Sequence, residues 1–236
     1  MRAWLWAGVL IVLAAAVGMA CGGGGGGDGK AEPTPDRPTL EAWLTEIQLK
    51  TEDLPSGFGD PDESFVDNEQ AATNDPEGPT KALQRLESWG RLLGDDATFL
   101  VTDPLGTFQK GGTALILSSV SIFADEQGAI EAMQWGRDLL ANPAEAATLI
   151  PNVSDLKGGP ISYPTVGDET VASEFTGKTQ PAGVQIKIDF TADIVAIRNG
   201  KGVAYIAVGA IGGAKPGPEV EQLIRILDER LGRVLS

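Results

Sequence analysis

Histidine is absent from this chain and cysteine occurs once, at Cys21. These two absences exclude every mechanism that needs an imidazole base, every thiolate metal cluster and every disulfide within the chain. Basic residues are the next shortage. Eighteen Lys and Arg stand against 33 Asp and Glu, for a net charge of -15 over 236 residues, and loss of Arg2 with a cleaved leader takes this to -16. Nucleic acid is therefore not an expected partner, because duplex binding needs clustered cations to replace phosphate counterions. The same acidity opposes adsorption on anionic lipid, so any membrane attachment has to come from the leader or from a covalent lipid.

What is present first is a leader. Residues 4–20 carry no charge, Arg2 precedes them, and the small residues Gly18 and Ala20 close them directly before Cys21. This is the three-part form of a secretory signal. Gly18-Met19-Ala20-Cys21 resembles a bacterial lipobox, in which the cysteine is diacylated and becomes the mature N-terminus. The resemblance implies a palmitate-type fatty-acid anchor on Cys21, although the family more often has Leu where Gly18 stands. Six glycines, residues 22–27, follow at once and read as a flexible spacer. Two other outcomes stay open: cleavage after Ala20 by a general signal peptidase, and retention of the apolar run as an uncleaved anchor. The organisation expected is a signal peptide at 1–20, a lipid-acceptor cysteine and flexible tether at 21–38, and one extracytoplasmic domain at 39–236, facing outward from the cell membrane.

The domain reads as α+β. Thr39 can cap a helix carrying Leu40, Trp43, Leu44 and Ile47, and residues 54–79 read as a long Asp/Pro/Gly-rich loop. A second helix is predicted over 80–93, with Gly94 stopping it. Residues 113–123 read as a strand, and Asp125 caps a third helix that ends near Asn142. From Val184 the pattern alternates through Ile186, Ile188 and Phe190, which predicts a strand wet on one face and hence an antiparallel sheet. Asn199-Gly200 suits a two-residue type I′ hairpin turn joining 192–197 to 203–208. Pro218 opens a closing helix with Val220, Ile224, Leu227, Leu231 and Val234 on one side. The expected architecture is a twisted antiparallel sheet with amphipathic helices packed on one face. Gly94-Asp95-Asp96 and Gly167-Asp168-Glu169 form a faint internal echo.

That order of features is similar to a group of exported domains, the PknH-type receptor-kinase sensors and the LpqN-type lipoproteins. The similarity rests on the LPSGF run at 54–58, on residues 118–124, on Val166-Gly167-Asp168-Glu169, and on the hairpin through Arg198-Asn199-Gly200 with its closing helix. It implies a cleft for a ligand between sheet and helices but transfers no functional residue, and this chain lacks the paired cysteines of the kinase sensors.

For chemistry the candidates are few. Ser118, Ser119 and Ser121 lie in a strand without a base and read as core or cross-strand residues. Asp95, Asp96, Asp168 and Glu169 could supply the two carboxylates of a glycosidase, but beside glycines they read first as turn formers and caps. Asp60, Asp62 and Glu63 lack the graded spacing of a calcium loop. No phosphate-cradling glycine pattern follows a strand, so neither a cofactor nor a metal is expected, nor any catalytic residue. Trp43, Trp89 and Trp135 sit at helical spacing with aliphatics and read as core rather than recognition anchors. The reading is a lipid-anchored surface protein that binds an apolar ligand or a surface protein without catalysis. The alternative is a carboxylate-dependent hydrolase acting on a glycan.

Overall fold

The computed structural model describes residues 34–73, 75, 77–149, 153–179, 187–217 and 219–236. The strands are β1 (Asp62–Val66), β2 (Arg91–Leu100), β3 (Gly112–Phe123), β4 (Val153–Pro160), β5 (Glu169–Thr179), β6 (Ile188–Asn199) and β7 (Gly202–Ile211). They form one sheet in the order β1-β2-β3-β7-β6-β5-β4, and every pairing is antiparallel. The helices are α1 (Arg37–Ile47), α2 (Asn68–Ala72), α3 (Pro79–Ser88), α4 (Pro104–Lys110), α5 (Glu126–Ala141), α6 (Pro143–Leu149) and α7 (Glu219–Leu235). Among the described residues no helix is long and apolar enough to cross a membrane.

The α+β class and the antiparallel sheet are as the sequence predicts, whereas the placing of helices on one face is not. They cover both. The central strands are apolar on both sides: Ile116 and Val120 of β3, Val195 and Ile197 of β6 and Ile206 of β7 join α1 and α7 in one core. Leu117, Ile194, Ala196 and Ala207, on the opposite faces of the same strands, join α3 and α5 in a second. A strand buried on both faces reads as a continuous apolar run, and residues 194–197 (IVAI) are one. Of the alternating stretch at 184–190, residues 184–186 lie outside the described residues. The part that is described belongs to the end of β6, where burial is partial and the wet face is real.

Several boundaries move for local reasons. Asp36, not Thr39, caps α1, accepting from the Thr39 amide. The second helix stops at Ser88 because Gly90 adopts φ +64°, turning the chain into β2. The supposed loop at 54–79 contains β1 and α2, the latter opened by an Asp67–Gln70 capping box. Asp125 caps α5 as expected, through the Gly128 amide. The hairpin joins β6 to β7 as expected, but Asn199 pairs with Gly202 and the loop is Gly200-Lys201. Gly200 has φ +56° and Lys201 does not share a positive φ, so the turn has the pattern of type II′ and not the expected type I′. Pro218, expected to open α7, lies outside the described residues.

The sheet has two distinct ends. At one, called the hairpin end, are the Gly200-Lys201 turn and the start of α1, whose Trp43 ring lies 5.7 Å from the Lys201 ammonium. From there α1 runs to Gln48, which reaches the middle of β2 and β3. The chain then pairs Phe58 with Val101 at the other end, beside α4. Helix α7 runs the opposite way, from a Thr113–Glu219 hydrogen bond near α4 to Asn199 at the hairpin end.

Candidate functional site

The four carboxylates singled out from sequence fall into two unrelated settings. Asp95 and Asp96 are neighbours in the middle of β2, not turn formers, and successive side chains of a strand point to opposite faces. Asp95 lies on the α1 face and is fully buried, and neither of its oxygens meets a donor with hydrogen-bond geometry. Burial first, then the charge of Glu63 and a hydrogen bond with it, push its carboxyl up to about 8. The adjacent Gln48 amide is spent elsewhere, donating to the backbone carbonyls of Asp95 and Ser118 while its oxygen accepts from the Ser118 hydroxyl and the Leu49 amide.

Asp96 faces the other layer beside Ser119, Tyr205 and Arg91. Burial raises its pKa, against the hydrogen bond from Ser119 and the charge of Arg91. Burial also raises Tyr205 and lowers Arg91. Arg91 donates to Ser121 Oγ at 3.0 Å, Val66 O at 3.1 Å and Asn68 Oδ1 at 3.0 Å, so it ties β1, β2 and β3 together. Ser118, Ser119 and Ser121 are thus cross-strand and core hydrogen-bonding residues.

Asp168 lies in the turn before β5, as the sequence suggested, whereas Glu169 is the first residue of that strand, and both serve Arg198. The guanidinium lies 3.1 Å from Asp168 Oδ2, 3.6 Å from Glu169 Oε2 and 2.8 Å from Glu126 Oε1. Asp168 also accepts from the Gly200 amide at 2.8 Å, which braces the hairpin. Arg137 pairs with Glu169 from α5. Neither doublet sets two free carboxylates against each other.

Asp60 accepts from Thr51 at 3.3 Å, and Asp62 and Glu63 belong to β1. No group of three or more acidic, His or Cys side chains that could hold a metal occurs among the described residues. Trp89 and Trp135 are buried with ring centroids 6.1 Å apart, and the Arg85 guanidinium stands 5.5 Å from each. Arg85 is itself buried against Asp75 at 2.7 Å, so the aromatic pair is filled by the chain's own cation. Trp43 is half-buried on the α1 face.

Two features escaped the sequence reading. Tyr163 and Asp193 meet on the α7 face near Glu174 and Glu221, where the Tyr163 hydroxyl and Asp193 Oδ1 are buried without a hydrogen-bond partner. Burial, then Glu221 and Asp193, push Tyr163 up to about 12, and burial raises Asp193. The second is α4, which presents Leu105 and Phe108 to solvent, 75% and 40% exposed, one helical turn apart. Asp103 caps this helix through the Gly106 amide. Exposed Leu and Phe on so short a helix leave a sequence signal no different from that of a buried turn.

No protein-family model matches the sequence, and no curated protein matches it. Among solved structures the chain is similar in fold to the extracellular domain of PknH from Mycobacterium tuberculosis, with a TM-score of 0.48 and 9% sequence identity, covering 86% of this chain and 99% of that one.

Proposed function

We propose that this chain is a lipoprotein of the cell surface, held to the membrane by a fatty acid on Cys21, whose α+β domain binds an apolar ligand or another surface protein and performs no chemistry on it. The observation that carries the reading is the polarity of the molecule relative to its leader. Cys21 and the glycines at 22–27 feed into a domain whose first helix starts at Arg37, at the hairpin end of the sheet. An anchor at Cys21 leaves the opposite end free, and that end exposes Leu105 and Phe108. Fifteen residues separate Cys21 from Arg37. A Gly-rich tether of that length reaches on the order of 20 Å, enough to lift a domain clear of lipid headgroups.

Binding is favoured over hydrolysis by the setting of the carboxylates. A glycosidase needs two acids about 5–10 Å apart across an open groove. Here Asp95 and Asp96 are separated by the sheet itself, and Asp168 and Glu169 are engaged by Arg198. Where α1, α7 and α5 lie on the sheet, core side chains such as Leu44, Leu227, Met133 and Phe175 fill the contact, which moves the expected ligand cleft away from the helix–sheet interface.

The test is fatty-acid labelling of the full chain and of Cys21→Ser in a bacterial host, followed by native mass spectrometry of the detergent-extracted protein. Label on the wild type alone, with a co-purifying apolar molecule or protein, supports the proposal. Equal labelling of both overturns the anchor, and turnover of a glycan by the purified domain overturns the binding role.

A further inference from the structure

Among the described residues, Asp95 is the one acid of the sheet interior for which the surrounding elements supply no base. On the α1 face it is met by Gln48 from α1, whose amide is committed to backbone carbonyls, and by Ser118 and Val120 from β3, which carry no charge. Arg230 of α7 reaches this region but spends its guanidinium on Gln48 O at 2.7 Å and on both Asp53 oxygens. Asp96, next in the strand, is a further acid on the opposite face. The remaining neighbour is β1, where Phe65 pairs with Asp95 and Glu63 stands two residues along on the same face. Glu63 is exposed and brings a second carboxyl instead of a base.

The element supplying Glu63 is the least secured strand. β1 has five residues, lies at the edge of the sheet and pairs only with β2. Its last residue is held by Arg91, through Val66 O, but its first three are exposed. Residues 60–69, which contain β1, hold five Asp and Glu and no Lys or Arg, so charge repulsion works against docking along this edge.

We propose that β1 is a proton-dependent latch: a protonated Asp95 donates to Glu63 and holds the edge strand closed, and β1 detaches locally when the proton is lost. A buried carboxylate beside a second carboxylate has no compensating partner in the closed state, whereas in the open state Asp95 ionises freely in water. The closed state therefore binds a proton that the open state releases over the range between the ordinary carboxylate pKa and that of the closed form. Opening becomes easier as pH rises through that range and levels off above it. Release would bare the edge of β2, a row of unpaired amides and carbonyls.

Hydrogen exchange read by mass spectrometry on the full chain in detergent, from pH 5 to 9 and corrected for intrinsic exchange rates, tests this. The opening constant of β1 should rise by up to roughly tenfold per pH unit up to about pH 8 and then flatten. Strands β3 and β7 should stay far better protected than β1 at every pH, because they exchange only through global unfolding. Asp95→Asn should abolish the slope. Glu63→Gln changes an exposed side chain and so leaves the fold intact; it should end the rise at a lower pH. A pH-independent β1 in the wild type overturns the proposal. Exchange of β1 with the same opening constant as β3 and β7 throughout does so too, because that would be global unfolding with no latch.

Discussion

Gly94-Asp95-Asp96 and Gly167-Asp168-Glu169 are nearly the same tripeptide, and the fold treats them in opposite ways. The second spans a turn and the first residue of β5, where Arg198 and the Gly200 amide satisfy its carboxylates in partial contact with water. The first runs through the centre of β2, which puts one acid under each helical layer and leaves Asp95 without a base. Composition cannot separate the two cases. What separates them is whether a cation arrives from a strand distant in sequence, as Arg198 does from β6.

The comparison can be pressed hardest at a third acid, Asp75, which is as buried as Asp95 but has Arg85 at 2.7 Å. Arg85→Ala would give Asp75 the isolation of Asp95 and remove the cation that lies over the Trp89 and Trp135 rings. We expect a loss of about 3–5 kcal/mol in urea unfolding at pH 7, the usual cost of removing one partner of a buried pair. An effect below about 1 kcal/mol would mean that a missing base costs little in this fold.

Asp95→Asn should act in the other direction. The folded state holds the Asp95 proton up to about pH 8, while the unfolded chain releases it near pH 4. Wild-type stability should therefore fall as pH rises from about 4 to about 8 through this group, and stay level above. The amide removes that fall and should stabilise the protein by about 1–3 kcal/mol at pH 7.5, less at pH 5, net of one newly buried unpaired donor. Chemical unfolding across pH 4–9 measures both the gain and the lost slope.

Arg198→Ala removes the base from the paired doublet. Because Asp168 and Glu126 are about half exposed, solvent screens much of the loss, and a destabilisation of about 1–2 kcal/mol is expected, with faster exchange of the Gly200 amide. Smallest of all should be Leu105→Ser. A side chain 75% exposed contributes little to folding, so thermal unfolding should stay within about 0.5 kcal/mol of wild type. Any larger change would show that α4 packs more tightly than its exposure indicates.

The parts of the fold that the sequence discloses are those in which local pattern and tertiary position agree. Helices α1, α5 and α7 show an apolar stripe at helical spacing with a cap or helix start near the predicted place, and β3 is a run of aliphatic and hydroxyl residues. The β6–β7 hairpin follows from Asn199-Gly200, one residue out of register. The aromatic pair Trp89 and Trp135 reads correctly as core. β2 is hidden because Gly94 and two aspartates have low strand propensity, and only pairing with β3 on one side and β1 on the other holds them extended. β1 and α2 vanish into an Asp- and Pro-rich stretch that reads as coil. The second helical layer is missed because burial on both faces erases the alternation that marks a one-sided sheet. Asp95, Tyr163 and Asp193 carry no local signal at all, since their isolation is a property of which elements cover them.

Location decides what the free end of the sheet can meet, so the most direct measurement is the intact mass of the protein extracted from its own membrane. The account predicts a chain beginning at Cys21 and carrying the added mass of a diacylglyceryl group. A chain that begins at Met1 with an unmodified thiol, or a lipid-free chain in the aqueous fraction, would contradict it.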